Sequence, residues 1–429
     1  MKSKKIGFFG KFGQQNWGNE CSLQAFICNT RKYHPEWEMY CVCTIPEDTS
    51  ARYGIPAYPM RAISLTRKVL WGQNNPFMKF LWKIFYLIPK EVVHWIHAYM
   101  TLKGSQMLIF PGTGMLTDYN GRIYDICYEI FKWSIIAKLC RCKAMFVSIG
   151  AGPILHPVNR WFIKSALSMA DYRSYRNDYS KKYLESIGFN TQNDPIYPDL
   201  AFSLPSNIMP ESKNRDKKRP VIGVGVADLI LGTIVTDRKP NLRKRRDAIY
   251  RQYIDTMCSF VIWLLENQYN VLILMGDTMY DSIPKKELKN QLKMKGYDYK
   301  NENIIDESIT SFEDLISQLE KTDVVVSPRL HNIILALMLN KPVLSISYHN
   351  KFDSLMASLE LGEYCAHTDD LNIKELKELF SKLMANVEDI TQKIKLKTEE
   401  NRFDLETQYL SIFDKIRNIR TYHNTGLQE

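Results

Sequence analysis

Thr322-Asp323-Val324-Val325-Val326-Ser327-Pro328-Arg329-Leu330-His331 runs directly into Ile333-Ile334-Leu335-Ala336-Leu337-Met338-Leu339. The stretch reads as a short buried strand, a tight turn and then a helix. The turn carries a fixed cation, Arg329, and a titratable imidazole, His331, two residues on. Both stand at a helix N-terminus just past the carboxyl end of a strand. Free backbone N–H groups and the helix dipole favour an anion there. In open α/β sheets this edge is where ligands bind.

The same alternation of strand and helix recurs along the chain, which predicts α/β architecture with parallel sheets. A first strand over residues 5–9 enters a glycine-spaced loop, Gly10-Lys11-Phe12-Gly13-Gln14-Gln15-Asn16-Trp17-Gly18-Asn19. A helix carrying Leu23, Phe26 and Ile27 is predicted to start near Glu20. The loop is suited to cradling a phosphate through backbone N–H groups. It does not match G-x-G-x-x-G, so it does not read as a dinucleotide site. Further buried strands are predicted at 107–110, 144–149, 221–224, 271–275, 324–326 and 343–346. The pattern lapses between Leu204 and Pro220, where prolines and a charged run predict a linker. The predicted organisation is a Rossmann-like domain over 1–205, a linker over 206–219, a second Rossmann-like domain over 220–395, and a helical segment, 396–429, that returns to the first domain.

The segment at about 62–103 breaks the alternation. Lysines punctuate an apolar, aromatic-rich pattern that includes Trp71, Phe77, Trp82 and Phe85. It reads either as an amphipathic insertion lying on a membrane surface or as a helical hairpin packed on the first domain.

At 429 residues the chain is long for a single core, and two domains are expected. Its net charge of +10 suits nucleic acid, an anionic membrane surface or an acidic substrate. Zinc-finger spacing, ribonucleoprotein aromatics and a basic region with heptads are all missing, which argues against nucleic acid. The nine cysteines include no C-x-x-C pair and spell out no four-ligand zinc site. Reduced, mostly buried thiols and no bound metal are expected. His94 and His97 have no third ligand beside them in the sequence. The basic start Met1-Lys2-Ser3-Lys4-Lys5 precedes an apolar run too short for secretion. A run of about 20 apolar residues, as a spanning helix needs, does not occur. The expected location is cytoplasmic, with the 62–103 insertion suggesting peripheral contact at the inner face of the plasma membrane.

Several segments, in order, carry a resemblance. They are Asn16-Trp17-Gly18-Asn19-Glu20, Gly112-Thr113-Gly114-Met115-Leu116-Thr117-Asp118, Ser148-Ile149-Gly150-Ala151-Gly152-Pro153-Ile154, Ser174-Tyr175-Arg176-Asn177-Asp178-Tyr179-Ser180, Tyr197-Pro198-Asp199-Leu200-Ala201-Phe202, Ser327-Pro328-Arg329-Leu330-His331 and Ser347-Tyr348-His349-Asn350-Lys351. Spread over roughly residues 7–365, they resemble the polysaccharide pyruvyl transferase family. The resemblance implies a GT-B-like fold, two Rossmann-like domains facing a central cleft. It implies transfer of the enolpyruvyl unit of phosphoenolpyruvate to a sugar, typically closing a cyclic ketal and releasing phosphate. Phosphoenolpyruvate is then a co-substrate, and no cofactor is implied. The acceptor would be a sugar of a bacterial polysaccharide or of a lipid-linked, polyprenyl-diphosphate-type precursor. Two departures stand out: Asn19 occupies a position where the family often has Asp, and Pro111-Gly112-Thr113-Gly114 replaces a triple glycine.

Phosphoenolpyruvate carries a phosphate and a carboxylate, so its site needs cations. Arg329 offers planar bidentate donors and Lys351 a point charge. Arg176 is the first-domain counterpart by its match before Asp178. His331 is the candidate general acid toward the methylene carbon, or a phosphate-binding partner. Asn19 and Glu20 are the candidates to deprotonate the acceptor hydroxyl, and Asn16, His156 and Asp118 to bind the acceptor. Asn16 and Glu20 equally suit a helix start, where a capping Asn and an early acid are favoured. Two other readings share these features. A GT-B glycosyltransferase using a nucleotide sugar has the same architecture. A non-catalytic, membrane-associated assembly factor would account for Asn19 and the apolar insertion, but not for the retained Arg329, His331 and Lys351.

Overall fold

The computed structural model describes residues 4–61, 88–118, 121–123, 125–210, 219–229, 240–278, 280–297 and 303–417. The first part of the expected insertion, 62–87, and most of the charged linker, 211–218, lie outside them.

The first half of the chain runs β1 (Lys5–Gly10), α1 (Trp17–Tyr33), β2 (Glu38–Cys43), α2 (Pro46–Tyr53), β3 (Ala57–Pro59), α3 (Ile88–Leu102), β4 (Met107–Pro111), α4 (Ile126–Leu139), β5 (Lys143–Ile149), α5 (Pro157–Ser168), β6 (Tyr172–Tyr175) and α6 (Asp178–Ser186). The second half runs β7 (Val221–Gly225), α7 (Pro240–Glu266), β8 (Asn270–Leu274), α8 (Ser282–Met294), β9 (Ile304–Ile305), α9 (Phe312–Glu320), β10 (Val324–Ser327), α10 (Leu330–Met338), β11 (Val343–Ser347), α11 (Asn350–Ser358), β12 (Cys365–His367), α12 (Ile373–Ala385) and α13 (Val387–Arg417). The strands pair in parallel throughout, in the orders β3-β2-β1-β4-β5-β6 and β12-β11-β10-β7-β8-β9. Each half is thus the same doubly wound sheet, with its direction of winding reversing at β1/β4 and at β7/β10.

The central strands are apolar runs because helices cover both of their faces. Val324, Val325 and Val326 are all essentially inaccessible. Burying each contributes about 1.5–3 kcal/mol. Phe9, Phe110 and Trp133 pack together on one face of the first sheet, with ring centroids 4.9 and 6.0 Å from Phe9. Strands β2, β3, β6, β9 and β12 complete the sheets beyond those predicted from the sequence.

The last helix, α13, has 31 residues and begins earlier than the sequence pattern suggests. At about 1.5 Å per residue it is roughly 45 Å long. Its start buries Ile390 and Ile394, and toward its end Tyr409 meets Phe26 of α1 edge-on at 5.0 Å. There Gln408 accepts from Ser148 Oγ at 3.0 Å and donates to Ser174 Oγ at 2.7 Å. The two domains also touch across their cleft. Asn16 Nδ2 donates to Asp277 Oδ2 at 2.9 Å, and Thr278 Oγ1 donates to Gln15 Oε1 at 2.8 Å.

Candidate active site

The turn after β10 is built as its sequence predicts. Ser327 Oγ accepts from Arg329 N at 3.1 Å, Arg329 is extended, and α10 starts at Leu330. The arginine itself is committed elsewhere. Its Nε lies 2.9 and 3.0 Å from the two carboxylate oxygens of Asp281. Asp281 is fully buried and also accepts from Gly276 N at 3.0 Å and Asp277 N at 2.9 Å. Burial works against charge on Arg329, but Asp281, with Tyr348 and Asp277, more than offsets it and the guanidinium's pKa is raised. Arg329 is therefore half of a largely buried ion pair within the second domain, rather than an unattached grip for an anion.

His331 stands one residue past the start of α10 and crosses to the first domain. A Cβ on Gly18, in the first turn of α1, would lie 2.1 Å from its Nδ1. Glycine at this position is what allows the ring to seat. His331 Nε2 is 3.7 Å from Asp199 Oδ2, just beyond hydrogen-bond length, and the same oxygen accepts from Arg176 Nη1 at 3.3 Å. Asp199 is held by its own turn, where its other oxygen accepts from Ala201 N at 3.1 Å. Arg176 rests on Gly150, where a Cβ would meet its Nε at 2.7 Å. His331 Nε2 and Arg176 Nε are both buried and find no hydrogen-bond partner among the described residues. Burial pushes the His331 pKa down to about 4. Asp199 opposes this, and the charges of Arg176, Lys351 and Arg329 add to it.

His349 and Lys351 stand at the N-terminus of α11. His349 caps that helix, its Nδ1 accepting from Lys351 N at 3.2 Å, and its ring meets Tyr179 edge-on at 5.2 Å. Burial, then the charges of Lys351 and Arg176, push its pKa down to about 4, against Asp353. Together with Arg176, Asn177, Tyr197 and Asp199, Lys351 borders a cavity of about 480 Å³ between the domains. A larger hollow of about 750 Å³, between α1 and α13, carries none of these groups.

A model of the polysaccharide pyruvyl transferase family matches residues 48–350. The chain belongs to the polysaccharide pyruvyl transferase family. No curated protein matches it in sequence. Among solved structures it resembles UDP-GlcNAc 2-epimerase from Neisseria meningitidis bound to UDP-GlcNAc, with a TM-score of 0.56, 10% identity and 97% and 100% of the two chains covered. Anabaena HepE in complex with UDP and glucose gives 0.56 at 12% identity, covering 96% and 99%. A glycosyltransferase from Rickettsia africae gives 0.54 at 12% identity, covering 97% and 99%. These likenesses establish the GT-B arrangement of two Rossmann-like domains.

For the residues assigned from sequence to the acceptor, the assignments need correction. Glu20 is 1% exposed and accepts from Gly13 N at 2.8 Å and Tyr53 OH at 2.7 Å. It latches the glycine loop to α2 and has no surface on the cleft, so the acid–base role does not hold. Asp118 is likewise spent on structure, accepting from Leu155 N, His156 N and Asn159 Nδ2 at 2.5, 2.9 and 2.8 Å. His156 caps α5 through Val158 N at 3.2 Å. Asn16 caps α1 and bridges to Asp277, and Asn19 Nδ2 donates to Lys11 O at 3.3 Å. The fold does bring Arg176, His331 and Lys351 to one place. It adds three residues that sequence reasoning left out of the site: Asp199, His349 and Asp281. The first two lie inside motifs that carry the resemblance; Asp281 lies in none.

Proposed function

We propose that this pyruvyl transferase takes its pyruvyl group from phosphoenolpyruvate and places it on a sugar of a bacterial polysaccharide or of its lipid-linked precursor, closing a cyclic ketal and releasing phosphate. One observation carries the proposal. His331 Nε2 and Arg176 Nε are buried without partners, both residues approach the same Asp199 oxygen, and Arg176, Asp199 and Lys351 border one cavity. A buried polar group left unpaired costs about 1–3 kcal/mol, and an anionic ligand reaching both would recover it. A donor bearing a phosphate and a carboxylate suits two cations and an imidazole.

Before the donor binds, His331 is neutral at physiological pH. An anionic donor offsets Arg176 and Lys351 and raises its proton affinity, with Asp199 beside it to stabilise the imidazolium. The protonated ring gives its proton to the methylene carbon of the donor. An acceptor hydroxyl forms its C–O bond to C2 and loses its proton to the imidazole. The C2–O bond to phosphate then breaks, and the second hydroxyl closes the ring. Of the two hydroxyl protons, one balances the new methyl group and the other leaves on phosphate. Apart from the proton shuttle, the site acts by positioning and charge neutralisation. An acceptor carried on a membrane lipid fits the apolar face of α3, which exposes Ile88, Val92, Val93, Ile96 and Met100.

The test is incubation with phosphoenolpyruvate and free, nucleotide-linked or lipid-linked saccharides, read by mass spectrometry and phosphate release. For each phosphate released, an acceptor should gain the mass of one pyruvic acid less one water. His331→Ala and Arg176→Ala should abolish the gain while the protein stays folded. No gain on any acceptor, with thermal stabilisation by nucleotide sugars and none by phosphoenolpyruvate, would overturn the proposal in favour of a nucleotide-sugar enzyme.

A further inference from the structure

Cys365 and His367 lie two residues apart on β12, the edge strand of the second sheet, so their side chains leave the same face. Asp353 reaches them from α11. Its Oδ1 is 3.4 Å from Cys365 Sγ and 3.7 Å from His367 Nε2, and the three ligand atoms lie within 4.8 Å of one another. Zinc bonds of about 2.0 Å to oxygen and nitrogen and 2.3 Å to sulfur, in a tetrahedron, set ligand-to-ligand edges of roughly 3.3–3.6 Å. Two edges are thus nearly in place. The third closes by rotation of His367, whose side chain is 57% exposed.

We propose that Asp353, Cys365 and His367 bind a divalent transition-metal ion of the zinc class, with water in the fourth position. Thiolate, imidazole and carboxylate together suit such an ion and not magnesium or calcium. The surroundings are arranged as an outer shell. Asp353 Oδ2 accepts from Ser347 Oγ at 3.0 Å, which orients the carboxylate and leaves Oδ1 toward the sulfur and imidazole. Ser345 is in register with Cys365 on the neighbouring strand. Its hydroxyl is fully buried, finds no hydrogen-bond partner among the described residues, and stands near enough to Cys365 to favour its thiolate form. A metal-bound thiolate is a stronger acceptor for that hydroxyl than a thiol. Without metal, burial and then Asp353 push the thiol's pKa up to about 12. On binding, the S–H bond breaks, the sulfur–metal bond forms and the proton goes to solvent, with no change of oxidation state.

The site is separate from the pyruvyl chemistry but bears on it. Asp353 lies in the first turn of α11, two residues after Lys351 and four after the capping His349. An ion would pin that helix to β12 and so hold Lys351 toward the cleft. The sequence concealed the site because a C-x-H pair on a strand and an Asp on the preceding helix match no four-ligand spacing.

The test is titration of the full chain, reduced and freed of metal with chelator, first with Co²⁺ and then with Zn²⁺. One equivalent of Co²⁺ should give a tetrahedral absorption spectrum with a thiolate-to-cobalt band, release protons and be displaced by Zn²⁺. Cys365→Ser should remove the thiolate band, and Asp353→Asn or His367→Ala should weaken binding at least about tenfold. The absence of a thiolate band in the unaltered chain would overturn the assignment. So would an unchanged band in Cys365→Ser, which would put the metal on another cysteine such as Cys28 or Cys140. Both readouts are independent of pyruvyl transfer, so failure of that reaction leaves this inference standing.

Discussion

At the scale of single residues, the protonation of two histidines decides how the site responds to pH. His331 and His349 are both pushed down to about 4, from an unfolded value of about 6.5. A histidine that binds its proton more weakly when folded gives a stability contribution that is complete above the unfolded pKa. It is lost as pH falls toward the folded value. Thermal unfolding temperature should therefore drop between about pH 6.5 and 4, and less steeply in a His331→Gln, His349→Gln variant. Two-dimensional NMR of the imidazoles should show His331 neutral at pH 6 without donor and shifted toward the charged form with phosphoenolpyruvate. A His331 that titrates near 6.5 with or without donor would contradict the electrostatic account. The arginine–histidine turn was legible as a strand-to-helix turn at the carboxyl edge of a sheet from its place in the pattern. The true partner of Arg329 was not, because Asp281 lies 48 residues away and only the folding of β8 into the same sheet as β10, with β7 between and α8 following, brings it near.

At the scale of elements, the site exists where the N-terminus of α10 meets the N-terminus of α1. Gly18 is the contact, with room for no side chain against His331. Gly18→Ala should add up to about 1 kcal/mol of helix propensity to α1, set against an overpacking cost of about 1–3 kcal/mol where its Cβ meets the His331 ring. It should prevent His331 from seating, so kcat/KM for transfer should fall by orders of magnitude with at most a modest drop in unfolding temperature. Wild-type kinetics in this variant would mean that the observed approach of the two helices is not the active one. The strands predicted from sequence were those in the sheet centres, where burial on both faces writes a continuous apolar run. Strands such as β6, Tyr172-Arg173-Ser174-Tyr175, and β12, Cys365-Ala366-His367, were missed because they are short and mix polar with apolar residues. Edge strands with one open flank carry no stronger pattern.

At the scale of the whole molecule, two doubly wound sheets face each other, joined by the contact of Asn16 with Asp277 and strapped by α13. None of the helices among the described residues is long and apolar enough to cross a membrane. A stripe on α3 remains exposed, with Ile88, Val92, Ile96 and Met100 recurring every four residues. Combined with a net charge of +10, this face should bring the full chain onto vesicles containing anionic lipid. Ile96→Glu should reduce co-sedimentation severalfold, and added salt should weaken it; equal binding by both forms would remove α3 as the contact. The sequence by itself determined the two parallel sheets, the chain's family and the cluster of Arg176, His331 and Lys351. Each of these is written in local pattern: buried strands as apolar runs, turns as glycine and proline, the site as motifs at strand exits. Only the tertiary structure decided which of those polar residues face the cleft and which are spent on the scaffold. Glu20, Asp118 and Arg329 look like site residues in sequence, yet each is wholly or largely buried, and a buried charge must be paired. Whether its partner is a ligand or the protein's own backbone and side chains depends on groups distant in the chain.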